Sequence, residues 1–348
     1  MLEASLESIL AAFGVRPDRV ERVPTGLIHS TFKISSGRDA WALQRVSSIF
    51  SPLVHEDIEA VTSHLESKGV ATPRLRRTKD GQLWLARDDT NDPGVYRMLT
   101  WIDGRNLERL SSRDEARAAA ALLGRFHVAL RDLSWTFRAR RLGVHDTPRH
   151  LAVLEAAMSS HADHRLFGEV APIAREILAS IRTLPPLAGL PERIVHGDPK
   201  ITNVLFDPAG PEAVAMVDLD TVAPMALPLE LGDAFRSWCN PAGEDSRKVE
   251  LDLDIFSAAL GGYASSTRGV LTDGEIEAVV PAIGTILLEL SARFAADALN
   301  ESYFGWNPEK HATRGDHNLL RAAGQLALAK DFLAKRSRAE AILRATYA

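Results

Sequence analysis

The stretch RIVHGDPKITNVLF (Arg193–Phe206) places His196, Asp198, Lys200 and Asn203 inside an apolar frame. Ile194 and Val195 precede the polar groups, and Val204, Leu205 and Phe206 follow them. Short apolar runs on either side of a Gly-Asp-Pro turn read as strands around a loop. A second apolar run, AVAMVDLD (213–220), follows at once and ends on Asp218 and Asp220. The frame alone is satisfied by a surface turn. The spacing of Asp198 and Asn203, with a further Asp one strand later, asks for more than a turn.

Working outward, helical spacing of Leu2, Leu6, Ile9, Leu10 and Phe13 predicts a helix over 2–13, stopped by Gly14. STFKIS (30–35) and AWALQRV (40–46) alternate and read as a hairpin. HEDIEAVTSHLESKG (55–69) reads as a helix ending in glycine. QLWLARD (82–88) and GVYRMLTWI (94–102) read as two more strands, joined by the turn-rich DTNDP. From DGRNL (103–107) onward the pattern is mainly helical. Helices are expected at 113–133 with Ser112 as N-cap, and at about 148–161, 168–183, 227–238, 247–265, 273–300 and 317–346. TLPPLAGLPE (183–192) is a connector. The expected fold class is α+β with two lobes: residues 1–102 a small antiparallel sheet with an N-terminal helix and one inserted helix, residues 103–348 a larger helical lobe carrying the polar loop. A ligand cleft is expected between them.

Composition narrows the function. The 348 residues are 45% hydrophobic and 25% charged, an ordinary globular balance, with a net charge of −5. That mild acidity argues against a dedicated nucleic-acid binder. The single cysteine, Cys239, rules out an intramolecular disulfide and a cysteine-based zinc site, and reads as a small buried apolar residue beside Trp238. The N-terminal stretch is unlike a signal peptide, and no uninterrupted apolar run reaches the roughly 18 residues of a membrane span. The expectation is a soluble, cytoplasmic protein with no membrane partner.

Phosphoryl transfer from ATP needs a carboxylate to receive or orient an acceptor hydroxyl, and oxygen ligands to hold a metal on the phosphates. Asp198, Asn203 and Asp218 occur in the order and spacing that protein kinases use for these tasks. Asp220 reads equally as a turn carboxylate or a metal ligand. Lys200 reads as a charge stabiliser near the transferred phosphate or as a solvated lysine, and His196 as a brace for the loop.

VHGDPKITNVLFD together with AMVDLDTVAPMALPLELGDAFRSW resembles the aminoglycoside phosphotransferase and choline kinase superfamily. GLIHSTFKI (26–34), ALQRVSSIF (42–50), IEAVTSHL (58–65), VHDTPRHL (144–151), DLDTVAP (218–224) and LLELSARFAADAL (287–299) extend the resemblance over most of the chain, toward the bacterial N-acetylhexosamine 1-kinases within that superfamily. The resemblance implies a protein-kinase-like fold, ATP and Mg2+ as cofactors, Asp198 as catalytic base, and Asn203 and Asp218 as magnesium ligands. It puts Gly26, His29, Ser30 and Thr31 in the loop over the phosphates, and Met98, Leu99 and Trp101 beside the adenine. Glu59 takes the place of the helix glutamate that pairs a strand lysine, but Gln44 stands where that lysine belongs. Asp233 matches an acidic position that ties the loop to the helices.

The implied acceptor is a small alcohol or sugar. Glu289, Arg293 and Asp297 recur at i, i+4, i+8 and share a helix face, which reads as surface ion pairs or as a wall over the acceptor. Asp146 is a second acceptor candidate or a helix cap. The functional expectation is a sugar 1-kinase, with two alternatives: an aminoglycoside or amino-alcohol phosphotransferase, and an inactive nucleotide-binding relative.

Overall fold

The computed structural model describes residues 2–23, 29–88, 93–140 and 143–348, with side chains from residue 6. Gly26 and most of the DTNDP turn lie outside the described residues. The chain is α+β: an antiparallel sheet precedes a large helical portion.

Helix α1 (Leu2–Ala12) ends at Gly14, whose φ of +70° is the left-handed stop the sequence suggests. Strands β1 (Arg19–Val23), β2 (Ser30–Ser36) and β3 (Asp39–Val46) follow, with β2 and β3 joined tightly at Gly37. Helix α2 (Val54–Ser67) intervenes before β4 (Leu75–Arg76), β5 (Leu85–Arg87) and β6 (Gly94–Thr100). The sheet order is β1-β2-β3-β6-β4, with β5 also on β6. Its register decides which side chains face where. Leu43 sits opposite Met98, so Ile34, Leu43, Tyr96 and Met98 share one face and bury against Ile9, Leu10 and Phe13 of α1. Each such burial contributes about 1.5–3 kcal/mol. Thr31, Gln44 and Arg97, in register across three strands, share the other face and look toward the helical portion.

Val54, Ile58, Val61 and Leu65 form an apolar stripe on α2, which joins the larger core. That core continues through β7 (Arg105–Asn106), α3 (Arg113–Leu130), α4 (Thr147–Ser160) and α5 (Phe167–Ile181). After β8 (Glu192–Val195), β9 (Val204–Phe206), β10 (Ala213–Met216) and β11 (Ala223–Ala226) come α6 (Leu227–Trp238), α7 (Leu253–Thr267), α8 (Asp273–Asn300) and α9 (Arg314–Tyr347). Ser112 caps α3 as expected, accepting from the Glu115 amide. By length and composition α8 could cross a membrane, which a search for uninterrupted apolar runs overlooks. Its apolar window is 94% buried among the other helices, so it is a core helix here. Cys239 is fully buried.

Two antiparallel ladders frame the polar loop: β8 with β11, and β9 with β10 and β7. Residues 196–203 therefore run between two anchored strand ends rather than across one hairpin.

Candidate active site

The loop is fixed by backbone bonds to buried side chains. Gly197 has φ +84°, and a Cβ there would lie 2.3 Å from the Thr221 carbonyl oxygen, so only glycine fits. The N–H groups of His196 and Gly197 donate to the two carboxylate oxygens of Glu230, each at 2.8 Å. Glu230 is fully buried on α6 and also accepts from His127 Nε2 at 3.2 Å. Burial opposes its charge, but His127, His196 and the amides outweigh that and hold its carboxyl below the usual range. His196 Nε2 donates to the Val217 carbonyl at 2.9 Å, bracing the loop against the Asp218 turn as the sequence implies. Trp238 Nε1 donates to the Pro199 carbonyl at 2.9 Å.

On this frame Asp198, Lys200 and Asn203 come together. Lys200 Nζ lies 2.6 Å from Asp198 Oδ2, and Asn203 Nδ2 donates to the Asp198 carbonyl (2.9 Å) and to Oδ2 (3.2 Å). Among the described residues, none donates a hydrogen bond to Oδ1 of Asp198 or to Oδ1 of Asn203. Burial disfavours the Lys200 ammonium, but Asp198 outweighs it and raises the pKa. Asp218 adopts φ +66°, unusual for a residue with a Cβ. No donor among the described residues hydrogen-bonds its carboxylate. Burial, then the charges of Asp220 and Asp198, push its pKa up. A desolvated carboxylate beside two others, with no donor of its own, fits a site completed by a cation. Together with the oxygen of Asn203 it supplies the hard donors that magnesium prefers.

Asp220 has the opposite environment. Arg97, 2% exposed, grips both its oxygens at 2.5 and 2.6 Å, and His29 Nε2 donates to it at 3.1 Å. Burial disfavours the charge, yet Arg97 and His29 hold the carboxyl far below its usual range. His29, Asp218 and Asp220 lie close enough together to suggest a metal cluster. However, the Ser47 amide occupies His29 Nδ1 at 3.1 Å, and Arg97 claims both oxygens of Asp220. Of the three, Asp218 alone is unclaimed. The turn reading of Asp220 therefore gives way to an ion pair with the sheet.

The other residues expected at the nucleotide are engaged within the protein or spread over both faces of the sheet. The His29 side chain turns to Asp220 and the Ser47 amide. Thr31 receives a hydrogen bond from Gln44 at 3.2 Å, and Ser30 is exposed at the start of β2. Glu59 pairs with Arg74 at 3.5 Å and Arg77 at 3.1 Å beside β4, because its place on α2 turns it from β3. Met98 is fully buried against α1: the strand's alternation puts it on the face away from the helical portion. Leu99 lies on the opposite face, half-buried. Trp101 is half-buried, donates to Asp103 at 3.0 Å and carries Lys33 over its ring at 4.5 Å.

At the acceptor candidates, Glu289 is 1% exposed and accepts from His145 Nδ1 (3.0 Å) and Thr147 Oγ1 (2.5 Å). Burial disfavours charge on His145, but Glu289 outweighs it and raises the pKa. Arg293 lies near this pair and stacks over Phe304 at 5.5 Å. Asp146 caps α4, accepting from the Arg149 amide at 3.1 Å, and is exposed. Its neighbours in HDTP, His145 and Thr147, are the ones that reach Glu289. Asp297 accepts from the amides of Ser302, Tyr303 and Phe304 and from Asn318 Nδ2, so it pins the loop after α8 and leaves no oxygen for an acceptor. Asp233 pairs with Arg236 at 2.8 Å, and the tie to the 196–203 loop is Glu230 instead.

The chain belongs to the phosphotransferase enzyme family (APH), whose pattern it matches over residues 19–266. In fold it is similar to an aminoglycoside phosphotransferase from Alicyclobacillus acidocaldarius (16% identity, TM-score 0.65, covering 97% of this chain and 96% of that one). It is also similar to a microcompartment-associated aminopropanol kinase (16%, 0.63, 96% and 98%) and to amicoumacin kinase hAmiN, solved in complex with AMP-PNP, Ca2+ and Ami (12%, 0.64, 93% and 92%).

Proposed function

We propose that this phosphotransferase moves the γ-phosphate of ATP to a hydroxyl of a small, neutral polyhydroxy acceptor, a sugar of the N-acetylhexosamine kind. The observation that carries the reading is the meeting of Asp198, Lys200, Asn203 and Asp218 at the ends of two anchored ladders. Asp198 Oδ1 would take the hydrogen bond of the acceptor hydroxyl and orient its oxygen for in-line attack, with Oδ2 held by Lys200 and Asn203. Asn203 and Asp218 would hold magnesium, which neutralises phosphate charge when bound. Lys200 would face the transferred group. Positioning and fixed charge then supply most of the rate. The sheet side (1–102) would carry the nucleotide and the helical side (103–348) the acceptor.

The paired charges near the loop support a neutral acceptor. Asp233 is matched by Arg236, Glu289 by His145, and Arg293 lies alongside. A polycationic aminoglycoside would call for unopposed carboxylates, and a quaternary amine for an aromatic cage. The test is ADP release with ATP, Mg2+ and a panel of hexosamines, choline and aminoglycosides. Turnover with a hexosamine that is lost in Asp198→Asn, while ATP binding persists, is the expected result. Turnover confined to choline or an aminoglycoside overturns the sugar assignment, and an unchanged Asp198→Asn rate overturns the site.

A further inference from the structure

The strand position that should carry a cation carries Gln44, and the helix glutamate that should meet it pairs elsewhere. The charge is nevertheless present one strand away. Arg97 lies directly opposite Gln44 in the β3–β6 register, on the face toward the helical portion. Its Nε donates to Gln44 Oε1 at 2.8 Å, while Gln44 Nε2 donates to Thr31 Oγ1 at 3.2 Å. Both terminal nitrogens of Arg97 close on Asp220, two residues beyond Asp218. A continuous hydrogen-bonded line therefore runs from the start of β2 through Gln44 and Arg97 to the strained turn that presents Asp218.

The geometry points to Arg97 as the positioning residue that replaces the strand lysine, acting through Asp220 to hold Asp218 where a nucleotide-bound cation is taken up. Gln44 is its fitting partner rather than a defect. A lysine at 44 would oppose the guanidinium, whereas the amide oxygen accepts from it and the amide nitrogen reaches Thr31. The bidentate guanidinium fixes the direction of the Asp220 carboxylate. Arg97 does not need to touch the phosphates. Its near-complete burial makes that contact unavailable, and groups that orient a metal's ligands commonly govern affinity by about 10–100-fold.

The inference rests on the phosphotransferase reading, and the experiment separates the two. Mn2+ affinity is read by electron paramagnetic resonance with AMP-PNP present, for full-length wild type, Arg97→Met, the neutral pair Arg97→Met/Asp220→Leu, and the relocated cation Gln44→Lys/Arg97→Met, alongside melting temperature. The neutral pair leaves no unpaired buried charge, so it reports on position with the fold kept. The expected result is tight Mn2+–nucleotide binding by wild type, a loss of about tenfold or more in Arg97→Met and in the neutral pair, and recovery of most of that loss in the relocated variant. Wild-type affinity in the neutral pair overturns the inference. So does a relocated variant that regains melting temperature without regaining affinity, since that is the behaviour of a purely structural ion pair. Failure of wild type itself to bind Mn2+–nucleotide would instead overturn the phosphotransferase reading.

Discussion

Replacing Glu230 tests how the 196–203 loop is held. Its two carboxylate oxygens each accept one loop amide at 2.8 Å, from His196 and Gly197, in a fully buried setting. Hydrogen bonds to a charged group contribute about 1.5–3 kcal/mol each, so Glu230→Ala should cost roughly 3–6 kcal/mol. At about 2 °C per kcal/mol for a chain of this size, the melting temperature should fall by roughly 6–12 °C. Glu230→Gln is the sharper variant. Its amide keeps one acceptor but turns an N–H group toward the other loop amide, so two donors face each other and most of the loss remains. The loop carries Asp198, and a displacement of about 1 Å can reduce turnover about 100-fold. Thermal unfolding and steady-state ADP release on both variants provide the check. Wild-type melting temperature and turnover in Glu230→Gln would show that the two amides are satisfied without a carboxylate, and that Glu230 does not hold the loop.

Three further outcomes are expected. Asp198→Asn should abolish turnover while leaving ATP affinity, measured by calorimetry, close to wild type. Gly197→Ala should unfold at lower temperature and lose roughly 100-fold in kcat, since its Cβ meets the Thr221 carbonyl; kinetics and melting check both. His55 is held down to about 4 by burial and the Arg97 charge, so the unfolded chain binds its proton more readily between pH 6.5 and 4, and stability is lost as pH falls through that window. Urea unfolding of wild type and His55→Phe at pH 7 and pH 5 should show the wild type losing about 2 kcal/mol more than the variant.

Local pattern made much of this legible. Alternation gave the β2–β3 hairpin, helical stripes gave α2 and α3, and the spacing of Asp198 and Asn203 singled out two polar side chains that the 196–203 loop brings together. What escaped depends on long-range register. Arg97 lies 53 positions from Gln44, and nothing near it tells which strand β3 will pair with. An arginine within the apolar run VYRMLT was the available signal. Glu230 carried a similar one, as a charge on the stripe Leu227, Leu231 and Ala234 of α6. Met98 was misplaced because strand parity settles which face a side chain takes. The i+4 stripe through Glu289 and Arg293 drifts about 40° per step, and at Asp297 it meets the loop that folds back after α8.

In the proposed site Asn203 and Asp218 hold a cation on a nucleotide's phosphates beside Asp198. The most direct measurement is a crystal structure with AMP-PNP and Mn2+, located by anomalous scattering. The account predicts a peak coordinated by Asn203 Oδ1, the Asp218 carboxylate and phosphate oxygens, with Asp220 still gripped by Arg97. A peak held by His29 and Asp220, or a nucleotide bound away from the 196–203 loop, would contradict it.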